Sequence, residues 1–176
     1  MQVQAARPWL WGMYSRLALS VAAVTALIDQ GHKWWTILVF HIEEKQRVAV
    51  LPFLDIVYTK NTGISYSLFE MAGRTGQLLL AGFALVASIG LWVWIARAAE
   101  SRLMAVGLAL ILGGAIGNGL DRVTLGGVAD FFQLHDLDYS HTWYVFNIAD
   151  VAIVAGVVGL LYDSFIVSRK DATKPL

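Results

Sequence analysis

The sequence predicts an all-α membrane protein: four transmembrane helices, with a small extracytoplasmic β-hairpin or cradle element between the first and second. Three observations carry this expectation. Apolar residues make up 57% of the chain and charged residues 15%, with a mean hydropathy of +0.61. Residues 75–96 and 103–120 carry no charge, and each run is long enough to cross a bilayer. Residues 47–69 have another texture, rich in Val, Ile, Phe and Tyr and punctuated by turn residues.

The first span, 17–38, is mainly apolar but contains Asp29 and Lys33. Basic residues ahead of an apolar run give the N-terminus the look of a signal peptide, but no small-residue cleavage pattern follows, so it reads as an uncleaved first span. In the outer segment, residues 47–58 alternate imperfectly, Lys60-Asn61-Thr62-Gly63 supplies turn chemistry, and 64–69 continues the hairpin. Pro52 marks an edge or bulge, and so short a ribbon has to rest on a support, here the outer membrane surface. Spans two and three are the uncharged runs. Gly113-Gly114-Ala115-Ile116-Gly117 in span three lets a neighbouring helix approach closely. The fourth span, 143–167, contains Asp150 and Asp163. Four spans in 176 residues leave room for one integral-membrane domain covering 1–176.

Charge sets the orientation and excludes some functions. The formal net charge is +0, which gives no footprint for nucleic acid. The lack of Cys rules out disulfides, thiolate nucleophiles and Cys-ligated metals. His32, His41, His135 and His141 never take the spacing of a metal site, so no metal or cofactor is expected. Arg7 and Arg16, Arg97 and Arg102, and Arg169, Lys170 and Lys174 fall on one side of a four-span chain, which the positive-inside rule makes cytoplasmic. Both termini are then cytoplasmic.

This topology gathers the polar residues at the outer face: Asp29 and Lys33 in span one, Asn118, Asp121 and Arg122 at the end of span three, Asp130 in a short outer loop, and Asn147 and Asp150 at the start of span four. With span four beginning near Tyr144, Asp150 would lie about 9 Å below its start. Asp130 and Asp150 stand in apolar settings, where a carboxylate is costly and so points to function. Brought within about 3 Å of each other, the two cannot both ionise, and the pair becomes an acid and a base in one site. The carboxylate takes a proton from a water attacking a peptide carbonyl while its protonated partner polarises that carbonyl, with no metal needed. Two other readings of the same residues stand beside this one. The carboxylates could form the relay of a proton-coupled transporter, or pair with Lys33 and Arg122 and simply stabilise the bundle.

Five ordered blocks then bear on family: Asp29-Gln30 with Lys33; Asn61-Thr62-Gly63-Ile64-Ser65-Tyr66-Ser67; Gly113 through Asp121-Arg122; Val128-Ala129-Asp130-Phe131; and Phe146-Asn147-Ile148-Ala149-Asp150. Together they resemble the lipoprotein signal peptidases, also called signal peptidase II. The resemblance implies a multi-pass aspartic endopeptidase of the bacterial inner membrane. It would remove signal peptides from diacylglyceryl-modified prolipoproteins, cutting N-terminal to the lipidated Cys, near the periplasmic face. It implies Asp130 and Asp150 as the catalytic dyad, and Asp29, Lys33, Asn61, Asn118, Arg122 and Asn147 as substrate-binding or supporting residues, with Asn118 and Asn147 orienting the dyad and Arg122 meeting a substrate carbonyl. Membrane lipid and cyclic peptide antibiotic inhibitors are further partners implied by resemblance. Gly119, Ile64 and Val151 depart from the family's usual residues, and these departures touch packing and pocket shape.

Overall fold

A computed structural model describes residues 9–63 and 73–172, with side chains to 165. The chain runs α1 (Ser15–Leu38), α2 (Ile42–Lys45), β1 (Arg47–Leu51), β2 (Leu54–Asn61), α3 (Arg74–Ala98), α4 (Arg102–Thr124), β3 (Val128–His135), β4 (Thr142–Phe146) and α5 (Ile148–Ala172). Of the four long helices, α3, α4 and the described part of α5 are long and apolar enough to cross a membrane. The mainly apolar α1 is of similar length but carries Asp29, Gln30, His32 and Lys33 in its C-terminal half.

α4 is the central helix, packed against α1, α3 and α5. Its glycines explain why. A Cβ on Gly114 would meet the Ala149 carbonyl at 2.6 Å, and one on Gly117 would meet Asp29 Oδ2 at 2.5 Å, so only glycine lets α1 and α5 come this near. Around the N-terminal half of α4, Ala18, Ala22, Ile95, Leu108, Ala109 and Leu112 form a buried apolar core. Ser101 caps α4 by accepting the Met104 N–H at 2.9 Å and donates to Asp163 Oδ1 at 2.7 Å, which satisfies the second acidic residue of α5. Many of the remaining apolar side chains face outward, as expected where the solvent is lipid.

The β element is larger than the sequence suggests. A four-stranded antiparallel sheet in the order β1-β2-β3-β4 joins a hairpin within the expected β segment to two strands that follow α4. The first hairpin turns at Pro52-Phe53, so Pro52 sits in the turn between strands, where its missing N–H costs nothing. Lys60 and Asn61, expected in a turn, end β2 instead, and the expected continuation over 64–69 lies outside the described residues.

Asp130, expected in a loop, is in the middle of β3. Thr142 to Phe146, in part assigned to the fourth span, form β4, and the helix begins only at Ile148. The Thr-Trp-Tyr-Val-Phe run suits a pleated strand, and its apolar character blends into the span that follows. An apolar cluster of Ile42, Ala129 and Phe131 holds α2 and β3 together. Farther out, buried Asp55 meets Arg47 Nη1 at 3.0 Å and lies 3.2 Å from His135 Nε2, locking β1, β2 and β3.

Helix packing yields a direct test. Gly156→Val is expected to destabilise the protein by about 1–3 kcal/mol, read as a lower thermal midpoint in detergent, because its Cβ would meet the Gly107 carbonyl at 2.5 Å. Gly82→Ala, with nothing within 4 Å of the added atom and a place inside α3, should raise the midpoint slightly.

Candidate active site

The C-terminal end of α4, the N-terminal end of α5 and the strand β3 bring Asp130 and Asp150 to one cleft of about 310 Å³. α3 contributes Leu80, Phe83 and Ala87, α4 contributes Asn118 and Arg122, and Ile153 and Val154 of α5 complete an apolar wall. A larger cavity of about 540 Å³, lined by Trp9, Trp11, Arg97 and Glu100, lies at the opposite end of the helices and holds no carboxylate pair.

Each aspartate is held by groups from several elements. Asp130 Oδ1 accepts from Asn147 Nδ2 at 2.6 Å, and Oδ2 accepts from Asn61 Nδ2 at 3.3 Å. The sheet register explains the second contact: Asp130 pairs with Thr59 and Val128 with Asn61, so Asp130 and Asn61 are diagonal neighbours on one face. Asp150 Oδ1 accepts from Asn118 Nδ2 at 3.0 Å. Asn147 and Asp150 also form a reciprocal cap on α5. The Asp150 N–H donates to Asn147 Oδ1 at 2.9 Å, and the Asn147 N–H donates to Asp150 Oδ2 at 3.1 Å. Asp150 is therefore the third residue of its helix, at a helix N-terminus that favours negative charge, rather than a full turn and more inside it.

Asn118 and Asn147 connect the two halves. Asn147 Nδ2 donates to Asn118 Oδ1 at 3.1 Å as well as to Asp130, and Asn118 Oδ1 also receives Lys33 Nζ at 3.1 Å. Arg122 donates from Nη1 to the Asn118 carbonyl and from Nη2 to the Gly63 carbonyl, each at 3.0 Å. Both of these donors are already engaged with backbone, and the buried Nε has no partner among the described residues. Asn61 Oδ1 accepts the Gly63 N–H at 3.0 Å and Gln77 Nε2 donates to the Thr62 carbonyl at 2.7 Å, so the segment leaving β2 is tied to both α3 and α4.

Asp29 and Lys33 take no part in the cleft wall. They are fully buried behind it, where Lys33 Nζ lies 2.8 Å from Asp29 Oδ2 and 2.7 Å from Asp121 Oδ2. Three residues in this polar system were absent from the expected site set: Asp121, Gln30 and Gln77. Gln30 Nε2 donates to Asp121 Oδ1 at 2.7 Å and to the Gly117 carbonyl at 3.1 Å. Each stands as a polar residue in or beside an apolar run, the same signal that singled out Asp130.

Burial, reinforced by the negative charge of Asp150, pushes the Asp130 carboxyl up to about 7, against the hydrogen bonds from Asn147 and Asn61 that favour its ionised form. Near neutral pH the pair thus retains a proton.

Solved bacterial membrane enzymes share this fold. One structure, determined by the in meso method at 2.3 Å, superposes with a TM-score of 0.76 at 24% identity over 92% of this chain and 94% of that one. A second, at 1.9 Å, gives a TM-score of 0.65 at 26% identity over 84% and 92%. Residues 21–166 match the signal peptidase (SPase) II family. The chain belongs to that family. The lipoprotein signal peptidase of Methylocella silvestris is 48% identical over 157 residues, 89% of this chain and 90% of that protein. That of Nitrobacter hamburgensis is 49% identical over 157 residues, 88% and 94% of the two chains, and that of Rhodopseudomonas palustris is 48% identical over 153, 86% and 93%.

The raised Asp130 carboxyl has a thermodynamic signature. The unfolded chain gives up this proton near the ordinary carboxylate value, whereas the folded protein holds it to about pH 7. Wild-type stability should therefore decline between those limits, because the folded state binds more protons there. Asp130→Asn removes this term. Its thermal midpoint relative to wild type is expected to rise from about pH 4 to about pH 7 and then level off. A constant difference across that range would show that the carboxyl is not raised.

Proposed function

We propose that this member of the signal peptidase II family is an aspartic endopeptidase that cleaves the signal peptide from diacylglyceryl-modified prolipoproteins, on the N-terminal side of the lipidated Cys. The observation that carries the reading is the joining of Asp130 and Asp150, one on a strand and one on a helix, through Asn118 and Asn147 at one cleft. Family membership and relatives named lipoprotein signal peptidase support the reaction, and the site geometry supports the aspartic chemistry.

The proposed mechanism needs one proton shared by two carboxyls. Asp150, with its carboxylate held by the Asn147 N–H and Asn118 Nδ2, takes a proton from the attacking water. The water oxygen bonds to the scissile carbonyl carbon while the protonated Asp130 donates to the carbonyl oxygen. As the tetrahedral species collapses, the C–N bond breaks, Asp150 delivers its proton to the leaving amine, and Asp130 recovers its own. Asn118 and Asn147 hold both carboxyls in place throughout. Arg122 supports the rim through the Gly63 carbonyl.

The surroundings suit a lipid-anchored substrate. In this reading α1 joins the three apolar helices as a fourth span, the single domain lies in the bacterial inner membrane with both termini cytoplasmic, and the sheet stands as a cradle on the periplasmic side. α3 and α5 flank the cleft while both pack on α4, and a signal helix would enter between them. Acyl chains on the substrate Cys stay in the bilayer, at roughly 0.8 kcal/mol per buried methylene, and hold the scissile bond at the depth of the carboxyl pair.

Gel-shift cleavage of a diacylglyceryl-modified prolipoprotein by purified protein in detergent tests this directly. Asp130→Asn and Asp150→Asn, each verified as folded, should lose at least about 1,000-fold in kcat. Robust cleavage by either variant removes that residue from the pair, and a folded wild type that leaves the substrate intact overturns the assignment. The wild-type rate should fall as pH rises past about 7, when Asp130 loses its proton. Asn118→Ala should lower kcat by about 100-fold, since it frees one carboxyl and one asparagine partner at once.

A further inference from the structure

Asp29 and Asp121 make two contacts of the same kind behind the cleft. Asp29 Oδ1 accepts the peptide N–H of Ala149 at 2.9 Å, and Asp121 Oδ2 accepts the peptide N–H of Ala129 at 3.1 Å. Ala149 directly precedes Asp150, and Ala129 directly precedes Asp130. Lys33 bridges the two carboxylates at 2.8 and 2.7 Å, and Gln30 Nε2 spans them at 3.3 and 2.7 Å.

Asp29, Lys33 and Asp121 are each at most 1% exposed, and both alanines are completely buried. The triad carries a net negative charge in a place where desolvation is expensive. A bundle that needed stability alone would do as well or better with apolar side chains of the same volume. What an apolar replacement cannot do is accept two specific peptide N–H groups at a set separation. One of these belongs to a strand and the other to the first turn of a helix.

We infer that Asp29, Lys33 and Asp121 act as a buried caliper that sets the separation of Asp130 and Asp150, by holding the peptide N–H groups of Ala149 and Ala129. None of the three lines the cleft. They are positioning residues, acting through the backbone rather than on the substrate. The direct contact of Lys33 with Asn118 Oδ1 ties the same unit to the asparagine that bridges the two carboxyls. The inference rests on the proposed peptidase reading and adds Asp121 to the residues on which that reaction depends.

The test varies length while keeping charge. Asp121→Glu and Asp29→Glu retain the ion pairs with Lys33 but displace the N–H acceptor by about one methylene, and a misplacement of about 1 Å can cost on the order of 100-fold in rate. Steady-state cleavage of the diacylglyceryl-modified prolipoprotein is measured for each variant, with the thermal midpoint as the folding check. The expected result is a kcat lower by about 10–100-fold with KM within about two-fold. Loosening the pair also weakens the repulsion that helps Asp130 keep its proton, so the alkaline limb of the rate profile should move to lower pH. The double variant should lose less than the product of the single losses, because both act on one distance.

If the longer side chain prevents folding, Asp121→Leu, which is close in size and cannot accept the Ala129 N–H, is judged by the same readouts. A folded variant with wild-type kcat and an unmoved pH limb overturns the caliper, provided wild type cleaves. Failure of the folded wild type to cleave overturns the peptidase reading and this inference with it.

Discussion

The outer half of the molecule depends on the buried ammonium of Lys33. A lysine on a helix among apolar spans would be a severe cost if left alone, and its two carboxylates would be as costly without it. Together they form a compact unit in which Asp29, Asp121 and Asn118 all contact Nζ, at 2.8, 2.7 and 3.1 Å. The carboxylate oxygens have acceptor capacity beyond the lysine, and they use it on Gln30 and on two peptide N–H groups. α1, α4, β3 and α5 are thereby joined by polar contacts with direction, which apolar packing cannot supply.

The proposed catalytic pair shows the same economy. Asn147 caps α5 through Asp150 and at the same time reaches Asp130, so the folding signal for a helix terminus is also part of the candidate site. The two carboxyls differ in setting. Asp150 sits at a helix N-terminus among its donors, and Asp130 stands on a strand, buried and facing its partner's charge. Environments that differ in this way are what divide acid and base roles between two identical side chains.

The sheet positions the pair as well as covering it. β3 carries Asp130 and Phe131 on opposite faces, one toward the polar cleft and the other into the cluster with Ile42 and Ala129. A slip of one residue would exchange those faces, so the buried Phe131 fixes the register that presents Asp130. The Asp55, Arg47 and His135 contacts close the outer edge of the same strands.

Much of this was legible in the sequence. The uncharged runs marked α3 and α4, the small residues at 113–117 marked the surface on which α1 and α5 pack, and isolated polar residues in apolar runs pointed to Asp29, Lys33, Asn118, Asp130, Asn147 and Asp150. These signals survive because hydrocarbon penalises each unsatisfied polar group locally, whatever its partner proves to be. The strand character of 128–135 and 142–146 did not stand out, since an apolar run beside a span has no period that separates strand from helix. Nor could the chain order reveal that Asp121 and Asp29 hold the peptides before Asp130 and Asp150. Composition and spacing determined which residues had to find polar partners in a membrane. Only the tertiary structure decided which partners they found, because those contacts join elements up to 120 residues apart and depend on how closely glycine lets the helices approach.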